Sequence, residues 1–198
     1  MSSFPGIVPP SFHWLGDYYP RIWYAVAGGV FDWFEACQLA PRLALAQTSR
    51  GRPNQICDLI HLRAHEAFVD IPHEVQVDEA YETALLRFMQ HGVEMKFNKL
   101  DADMRVHPPN TQRALGFCIQ ENLFGPTTSA DEGVKLFAGY RLNVSATELM
   151  GVAITCQHFD RVIWHVEIPE PPADHQFSVG PTTPPEIGPQ SDENIEGA

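Results

Sequence analysis

The sequence predicts an α+β fold in which N-terminal helices precede an antiparallel β-meander, with a helix packed on the sheet and a disordered acidic tail. Apolar residues recur at helical spacing up to about residue 92, and they alternate with polar residues beyond it. The composition agrees, because 44% hydrophobic and 19% charged residues in a chain of 198 are typical of one globular domain.

Three helices are predicted in the first half of the chain. Residues 30–47 form the first, which Pro41 should kink or split. Residues 55–68 form the second, with Asn54 as its N-cap. Residues 79–91 form the third, which ends at Gly92. The apolar residues of this third helix fall on one face: Tyr81, Ala84, Leu85, Phe88 and Met89.

Strands are predicted in the second half, where the apolar period changes to two. Alternation is clear in residues 93–97, 115–119, 134–144 and 162–168, and an apolar run covers residues 149–156. The links between them are short, so we expect four consecutive strands among these segments, in an antiparallel meander that the third helix covers. A short strand within residues 69–78 is also compatible with the sequence.

The chain is divided into three parts on composition. Residues 1–27 are a proline- and aromatic-rich arm, in which the prolines should prevent regular structure over the first 20 residues. Residues 28–168 form a single α+β domain. Residues 169–198 hold 7 of the 17 prolines, six acidic residues and no Lys or Arg, which predicts a disordered tail.

Charge and cysteine usage narrow the class of protein. The net charge is −12, and the first 168 residues carry 19 acidic against 13 basic residues, so direct nucleic-acid binding is disfavoured. The N-terminus does not resemble a secretory signal, and no apolar run is long enough to span a bilayer. Four widely spaced cysteines then indicate reduced thiols in an intracellular compartment. They are Cys37, Cys57, Cys118 and Cys156.

One stripe of the second predicted helix has metal-binding residue types. Cys57, His61 and His65 follow each other at intervals of one helical turn. Imidazole and thiolate are the ligands that zinc prefers, but two histidines and a cysteine at this spacing are more typical of an ordinary boundary stripe. We therefore predict no metal and no other cofactor, and keep these three residues as the weak candidates.

Catalytic constellations are few in this sequence. Cys156 and His158 share a strand face and can form a nucleophile pair, although a buried cysteine beside a turn histidine is the simpler interpretation. Asp101 and Asp103 can act as paired carboxylates, or they can be a solvated edge. No catalytic residue is predicted from these patterns.

The arm is the predicted interaction surface. The prolines disfavour regular structure here, and the large aromatics beside them are good anchors for a partner. The candidate residues are Pro9, Pro10, Phe12, Trp14 and Trp23.

Several short motifs in the second half carry a resemblance to a known family. They are Gly116-Phe117-Cys118-Ile119-Gln120, Gly125-Pro126, Gly151-Val152-Ala153-Ile154-Thr155-Cys156-Gln157-His158 and Arg161-Val162-Ile163-Trp164. In order and spacing they resemble the C-terminal half of rhabdovirus matrix proteins, the lyssavirus branch in particular. Val8-Pro9-Pro10-Ser11-Phe12 is similar to the Pro-Pro-x-Tyr budding motif of that family, with Phe12 in place of tyrosine.

The resemblance implies a non-enzymatic viral structural protein that self-associates and bridges nucleocapsid and envelope, in the host cytoplasm and the virion. Its partners would be viral nucleoprotein or host budding factors. Peripheral membrane contact is disfavoured, because Arg21 is the only basic residue among the first 40. The alternative is a small enzyme or ligand-binding protein with a cone-shaped, nuclear-transport-factor-like fold and an apolar pocket. In that fold, the alternation of side chains along the strands would make four residues face the pocket: Tyr140, Cys118, Asp101 and His165.

Overall fold

The computed structural model describes residues 8–42, 48, 51–79, 84–107, 111–118, 133–174 and 177. The α+β class is confirmed: the N-terminal part is helical, and six strands form one sheet. None of the helices described is long and apolar enough to cross a membrane.

The N-terminal segment is helical, so the expectation that its prolines prevent regular structure is wrong for residues 10–20. A 3-10 helix, Pro10–Tyr18, leads directly into helix α1, Tyr19–Leu39. Pro10 and Pro20 stand in the first turns of these helices, where the missing backbone N–H has no partner to lose. The predicted boundary between residues 27 and 28 therefore falls inside α1.

The second helix is close to its prediction. Helix α2 is Gly51–Phe68, four residues longer at its start than expected because Pro53 is accommodated in its first turn.

Helix α1 ends before Pro41, as expected, but it begins eleven residues earlier than predicted. Residues 43–47 of the first predicted helix lie outside the described part of the chain.

The six strands lie in sequence order across the sheet. They are β1 (Val75–Glu79), β2 (Ala84–Phe88), β3 (Val93–Lys99), β4 (Val134–Leu142), β5 (Leu149–His158) and β6 (Arg161–Ile168). The pairing is antiparallel except between β3 and β4, which run parallel. The predicted pure meander is therefore wrong at one place. Residues 100–133 connect these two strands, and this is long enough to return the chain to the end of the sheet where β3 began.

Two predicted elements have the wrong type. The described residues of the range 79–91 are not helical, because Glu79 ends β1 and residues 84–88 form β2, while residues 80–83 lie outside the described part of the chain. Leu85 and Leu86, neighbours on opposite faces of β2, are both buried, and an apolar run of this kind imitates a helical stripe. The strand expected from residue 115 onward is a short helix, α3 (Gln112–Phe117).

Helices α1 and α2, not the third predicted helix, cover the sheet. Their buried apolar residues pack on the strands: Ile22, Val26, Val30, Ile56, Ile60 and Ala64 against Met95, Leu136, Tyr140, Ile154 and Trp164. A smaller cluster holds the loop after β3 and helix α3 together with the sheet. It consists of Leu85, Leu100, Met104, Val106, Phe117, Cys118, Phe137 and Ala153.

Polar contacts fix α1 to α2 beside this core. The Arg63 guanidinium donates two hydrogen bonds to the Asp32 carboxylate, at 2.7 and 2.6 Å, and one to the hydroxyl oxygen of Tyr24 at 2.8 Å. The Tyr24 hydroxyl in turn donates to Glu66 at 2.9 Å. Phe177, from the predicted tail, packs with its ring 5.3 Å from that of Tyr24. The N-terminal helix is thus part of the body of the fold.

The closest approach of the two helices predicts a stability difference between adjacent glycines. A Cβ on Gly29 would stand 2.6 Å from the backbone nitrogen of Ile60, whereas one on Gly28 would make ordinary contact, 3.5 Å, with the Arg63 side chain. We expect Gly29→Ala to lower the free energy of unfolding by about 1–3 kcal/mol. Gly28→Ala should raise it by about 0.5–1 kcal/mol through helix propensity. Urea unfolding of both variants measures this, and equal effects would contradict the packing described.

Candidate functional site

The predicted interaction residues of the arm are built into the fold. Phe12 is 7% exposed, and its ring packs 5.2 Å from that of Trp164. Trp14 stacks on His91 at 3.7 Å, and Trp23 lies half-buried near Phe31. Pro9 precedes the 3-10 helix and Pro10 begins it. A partner that reads the Pro-Pro-Ser-Phe segment would therefore have to displace Phe12 from the core.

The metal-binding candidates separate into a thiol and a histidine pair. Cys57 points to the carbonyl oxygen of Phe97, with its sulfur 3.8 Å away, and burial raises the pKa of the thiol to about 12. His61 and His65 approach each other with 2.9 Å between their Nε2 atoms. Among the residues described, no group of three or more His, Cys, Asp or Glu side chains is arranged to hold a metal ion.

The other sequence candidates do not converge on one pocket. Cys156 is fully buried under the helices, and burial raises the pKa of its thiol to about 12, so it holds no thiolate for a Cys–His pair. Tyr140 is also buried there, and its hydroxyl has no hydrogen-bond partner among the described residues. Cys118 belongs to the smaller cluster, on the side of the sheet away from the helices. His165 lines a groove on that same side, and Asp101 lies in the loop that forms one of its walls.

This groove has a volume of about 560 Å³ and opens widely to solvent. One wall is the loop after β3, and the other is the hairpin between β5 and β6. The residues that line it are Ala102, Asp103, Met104, Arg105, Asp160, Arg161, Val162 and His165. It brings together two residues that the sequence singled out, Asp103 and His165, from opposite walls.

Asp101 holds the first wall in shape. Its Oδ1 atom accepts hydrogen bonds from the backbone N–H groups of Asp103 and Arg105, at 2.8 and 2.9 Å. Its Oδ2 atom accepts one from the Arg105 guanidinium at 3.2 Å and lies 2.7 Å from Nε2 of His107. Although partial burial acts to raise the pKa of Asp101, these hydrogen bonds outweigh it and hold the pKa below its usual value. Asp101 is therefore a structural anion, and not half of an acid–base pair with Asp103.

Gln157 ties the two walls together. Its side chain is fully buried, with Oε1 accepting from the N–H of Val106 at 2.9 Å and Nε2 donating to the Val106 carbonyl at 3.0 Å. The same Nε2 group donates to the carbonyl oxygen of Phe159 in the hairpin turn. Leaving such groups buried without partners would cost about 1–3 kcal/mol each, so the loop and the hairpin are held in one arrangement.

The hairpin turn keeps a bulky side chain in a strained conformation. Phe159 is the first of the two turn residues between His158 and Arg161, and its φ is +52°. Glycine is normal at this position, and an ordinary residue costs about 1–2 kcal/mol there. The N–H of Phe159 donates to the Cys118 carbonyl at 3.0 Å. Phe159 is 51% exposed in the turn next to the groove, and its ring packs edge-to-face on His158 with 4.7 Å between the ring centroids. The buried Met104, on the opposite wall, also has a positive φ, +61°.

Both signs of charge stand at the groove. Arg105 is engaged by Asp101 and Asp103 on its own wall. Asp160 and Arg161, on the hairpin, are exposed, and neither makes an ion pair within the part of the chain that the structure describes. The hairpin therefore presents an aromatic ring, a carboxylate and a guanidinium side by side.

Sequence reasoning considered His158 as a partner for Cys156 and gave no role of their own to Gln157 and Phe159. The available signal was a two-residue hairpin turn with neither glycine nor asparagine. Comparisons with protein-family models, with curated proteins and with solved structures found no match. The role of the groove is therefore argued from its own geometry.

The hydrogen bonds of Asp101 predict a pH-dependent contribution to stability. Asp101→Asn removes the charge that four donors share, and we expect a loss of about 1 kcal/mol at pH 7, reduced by partial exposure. Because the folded-state pKa is lowered, this contribution is present above the unfolded-state pKa and disappears as the pH falls through the folded-state value. Urea unfolding at pH 7 and at pH 3 should show the difference shrinking in acid.

Asp103→Asn is the matched control for this experiment. The Asp103 side chain is 70% exposed and contacts only Arg105 among the ion pairs recorded, so its loss should change stability by less than about 0.5 kcal/mol. Equal losses for the two variants, or a difference independent of pH, would contradict the role given to Asp101.

Two tyrosines predict opposite responses to loss of a hydroxyl. Tyr140→Phe removes a buried hydroxyl without a partner among the described residues, so stability should stay the same or rise by up to about 1 kcal/mol. Tyr24→Phe removes the hydroxyl that accepts from Arg63 and donates to Glu66, leaves those two side chains with only their direct 3.1 Å contact, and should cost about 1–2 kcal/mol. Urea unfolding of the two variants measures both. A Tyr140→Phe variant as unstable as Tyr24→Phe would show that the Tyr140 hydroxyl is bonded.

Proposed function

We propose that this protein is a non-enzymatic, self-associating interaction protein of the matrix type, and that two copies meet at the groove and the adjacent β5–β6 hairpin. The exposed side chain of Phe159, held in a left-handed backbone conformation, carries this proposal. Backbone strain concentrates where function compensates for it, since glycine would fold more stably at the same position. Aromatic and arginine side chains are also the residues that most often dominate binding energy, and Arg161 lies two residues from Phe159.

A second copy of the chain is the partner that the charges favour. Asp160 and Arg161 stand next to each other with opposite signs and are exposed without ion pairs among the described residues. A two-fold axis through such a patch places the arginine of each copy against the aspartate of the other, which is the requirement of an isologous interface. The net charge of −12 opposes association of whole molecules, so the attraction has to come from local pairs of this kind.

The non-enzymatic part of the proposal rests on the state of the candidate catalytic groups. Asp101 is committed to the loop, and burial keeps the Cys57 and Cys156 thiols protonated. The alternative function, a ligand-binding protein, requires an enclosed apolar pocket. The groove is instead open to solvent, and its walls carry polar side chains: Asp103, Arg105, Asp160, Arg161 and His165. These features favour recognition of a polar protein surface over chemistry on a small apolar substrate.

Bridging between nucleocapsid and envelope remains a prediction of the resemblance alone. Membrane contact is left out of the proposal because Arg21, the only basic residue of the first 40, donates two hydrogen bonds to Asp70, at 2.6 and 2.9 Å. A budding factor that reads Phe12 is left out because that ring is buried against Trp164.

Sedimentation equilibrium of the purified chain over a range of concentrations tests the proposal. The wild type should form dimers. Phe159→Gly should weaken dimerisation by roughly 30-fold, the effect of losing about 2 kcal/mol at an interface hot spot. The same variant should unfold at an equal or higher urea concentration, because glycine relieves the positive φ.

Charge reversal at Asp160 and Arg161 tests directly whether these two residues pair across the two-fold axis. Arg161→Asp should weaken the dimer, and the double variant Asp160→Arg with Arg161→Asp should restore it, because the swapped charges again pair across the two-fold axis. Val144→Ser, at the exposed tip of the β4–β5 hairpin, is the control and should dimerise like the wild type. A wild type that stays monomeric at high concentration, or a Phe159→Gly dimer of unchanged strength, would contradict the proposal.

A further inference from the structure

The exposed part of helix α2 carries a histidine pair that the groove does not use. His61 and His65 are one helical turn apart, and their rings lie 4.7 Å apart at an angle of 44°. Their Nε2 atoms face each other at 2.9 Å. His65 is exposed and His61 is half-buried, so the edge where the two rings meet is near the protein surface.

We propose that His61 and His65 bind one divalent transition-metal ion of the zinc class between their Nε2 atoms. A zinc ion holds imidazole nitrogens at about 2.0–2.1 Å, and two such ligands in a tetrahedral site stand about 3.4 Å apart. The observed separation has to open by only a few tenths of an ångström. A small rotation of either side chain supplies this, without any movement of the helix backbone.

Metal binding requires a change of tautomer in one ring and no change in the number of bound protons. The present contact needs one Nε2 proton and one Nε2 lone pair. Metal binding needs both lone pairs, so the donor ring moves its proton to Nδ1 and remains neutral. Neither ring has to gain or lose a net proton. Neutral imidazole is a ligand for zinc, copper and nickel, whereas magnesium and calcium prefer oxygen.

The scaffold under the pair is rigid, which lowers the entropy cost of binding. Helix α2 is fixed to α1 by the close approach of Ile60 to Gly29 and by the ion pair of Arg63 with Asp32. Both ligands lie on this one helix, so binding orders no loop and moves no strand.

Cys57, one turn earlier, is excluded from the site. Its sulfur points to the Phe97 carbonyl, and its thiol is protonated in the folded protein, whereas only a thiolate binds zinc well. Over the residues described there is no group of three metal-ligating side chains, so the protein supplies two ligands and water takes the other positions. A two-ligand site of this kind binds more weakly than a closed structural site.

Calorimetric titration of the full, tag-free chain with Zn²⁺ tests the site, with Mg²⁺ as the ion that should not bind. We expect one Zn²⁺ per chain and a higher midpoint of thermal unfolding in its presence, since the ion binds the folded helix. His61→Ala and His65→Ala should each weaken binding at least tenfold. His13→Ala, at an exposed histidine of the 3-10 helix, should bind like the wild type, and so should Cys57→Ala.

Three results would overturn the proposal. They are no Zn²⁺ binding by the folded wild type, undiminished binding by folded His61→Ala or His65→Ala, and loss of binding in Cys57→Ala with its fold intact. Circular dichroism of each variant establishes that it is folded. The sedimentation experiment on the groove and this Zn²⁺ titration test different residues, so either proposal can fail without the other.

Discussion

The hydrogen bonds of the buried Gln157 amide are the constraint on which the groove depends. They join the N–H and carbonyl groups of Val106, in the loop after β3, to the Phe159 carbonyl in the β5–β6 turn. The two segments are 51 residues apart in sequence, and the amide holds them as facing walls. Because the amide is fully buried, moving the loop away from the hairpin would break these hydrogen bonds at a site made for them, which makes a single arrangement the stable one.

This constraint also explains how the turn tolerates its strain. Cys118 accepts from the N–H of Phe159, while Gln157 donates to its carbonyl, so both backbone groups of the strained residue are satisfied. These bonds offset the energy that the positive φ costs, and the Phe159 ring stays half exposed with one side against His158. A hairpin with glycine in this place would be more stable and would present no aromatic surface.

Local patterns in the sequence predicted the class and several elements, and non-local pairing explains the failures. The apolar face of residues 55–68 correctly indicated a helix, because burial against one partner leaves a clear period of 3.6 residues. Residues 84–88 were wrongly predicted to be helical, because Leu85 and Leu86 are buried on opposite faces of β2 and this hides the period of two residues. The parallel pairing of β3 with β4 has no local signal at all. The burial of Phe12 against Trp164 has no local signal either, because the two residues meet only in the tertiary structure.

Only two of the residues that line the candidate site were singled out from the sequence. Asp103 and His165 were singled out by type and strand parity, and they line one groove. The strain at Phe159 depends on backbone angles set by Gln157 and Cys118, which composition does not reveal.

Amide hydrogen exchange at low and high protein concentration tests the central claim most directly. If two copies meet at the groove, exchange at residues 159–162 should slow as the concentration rises, while exchange at the β4–β5 tip around Val144 stays constant. Equal exchange at both concentrations in a protein that dimerises would place the interface elsewhere and contradict the account.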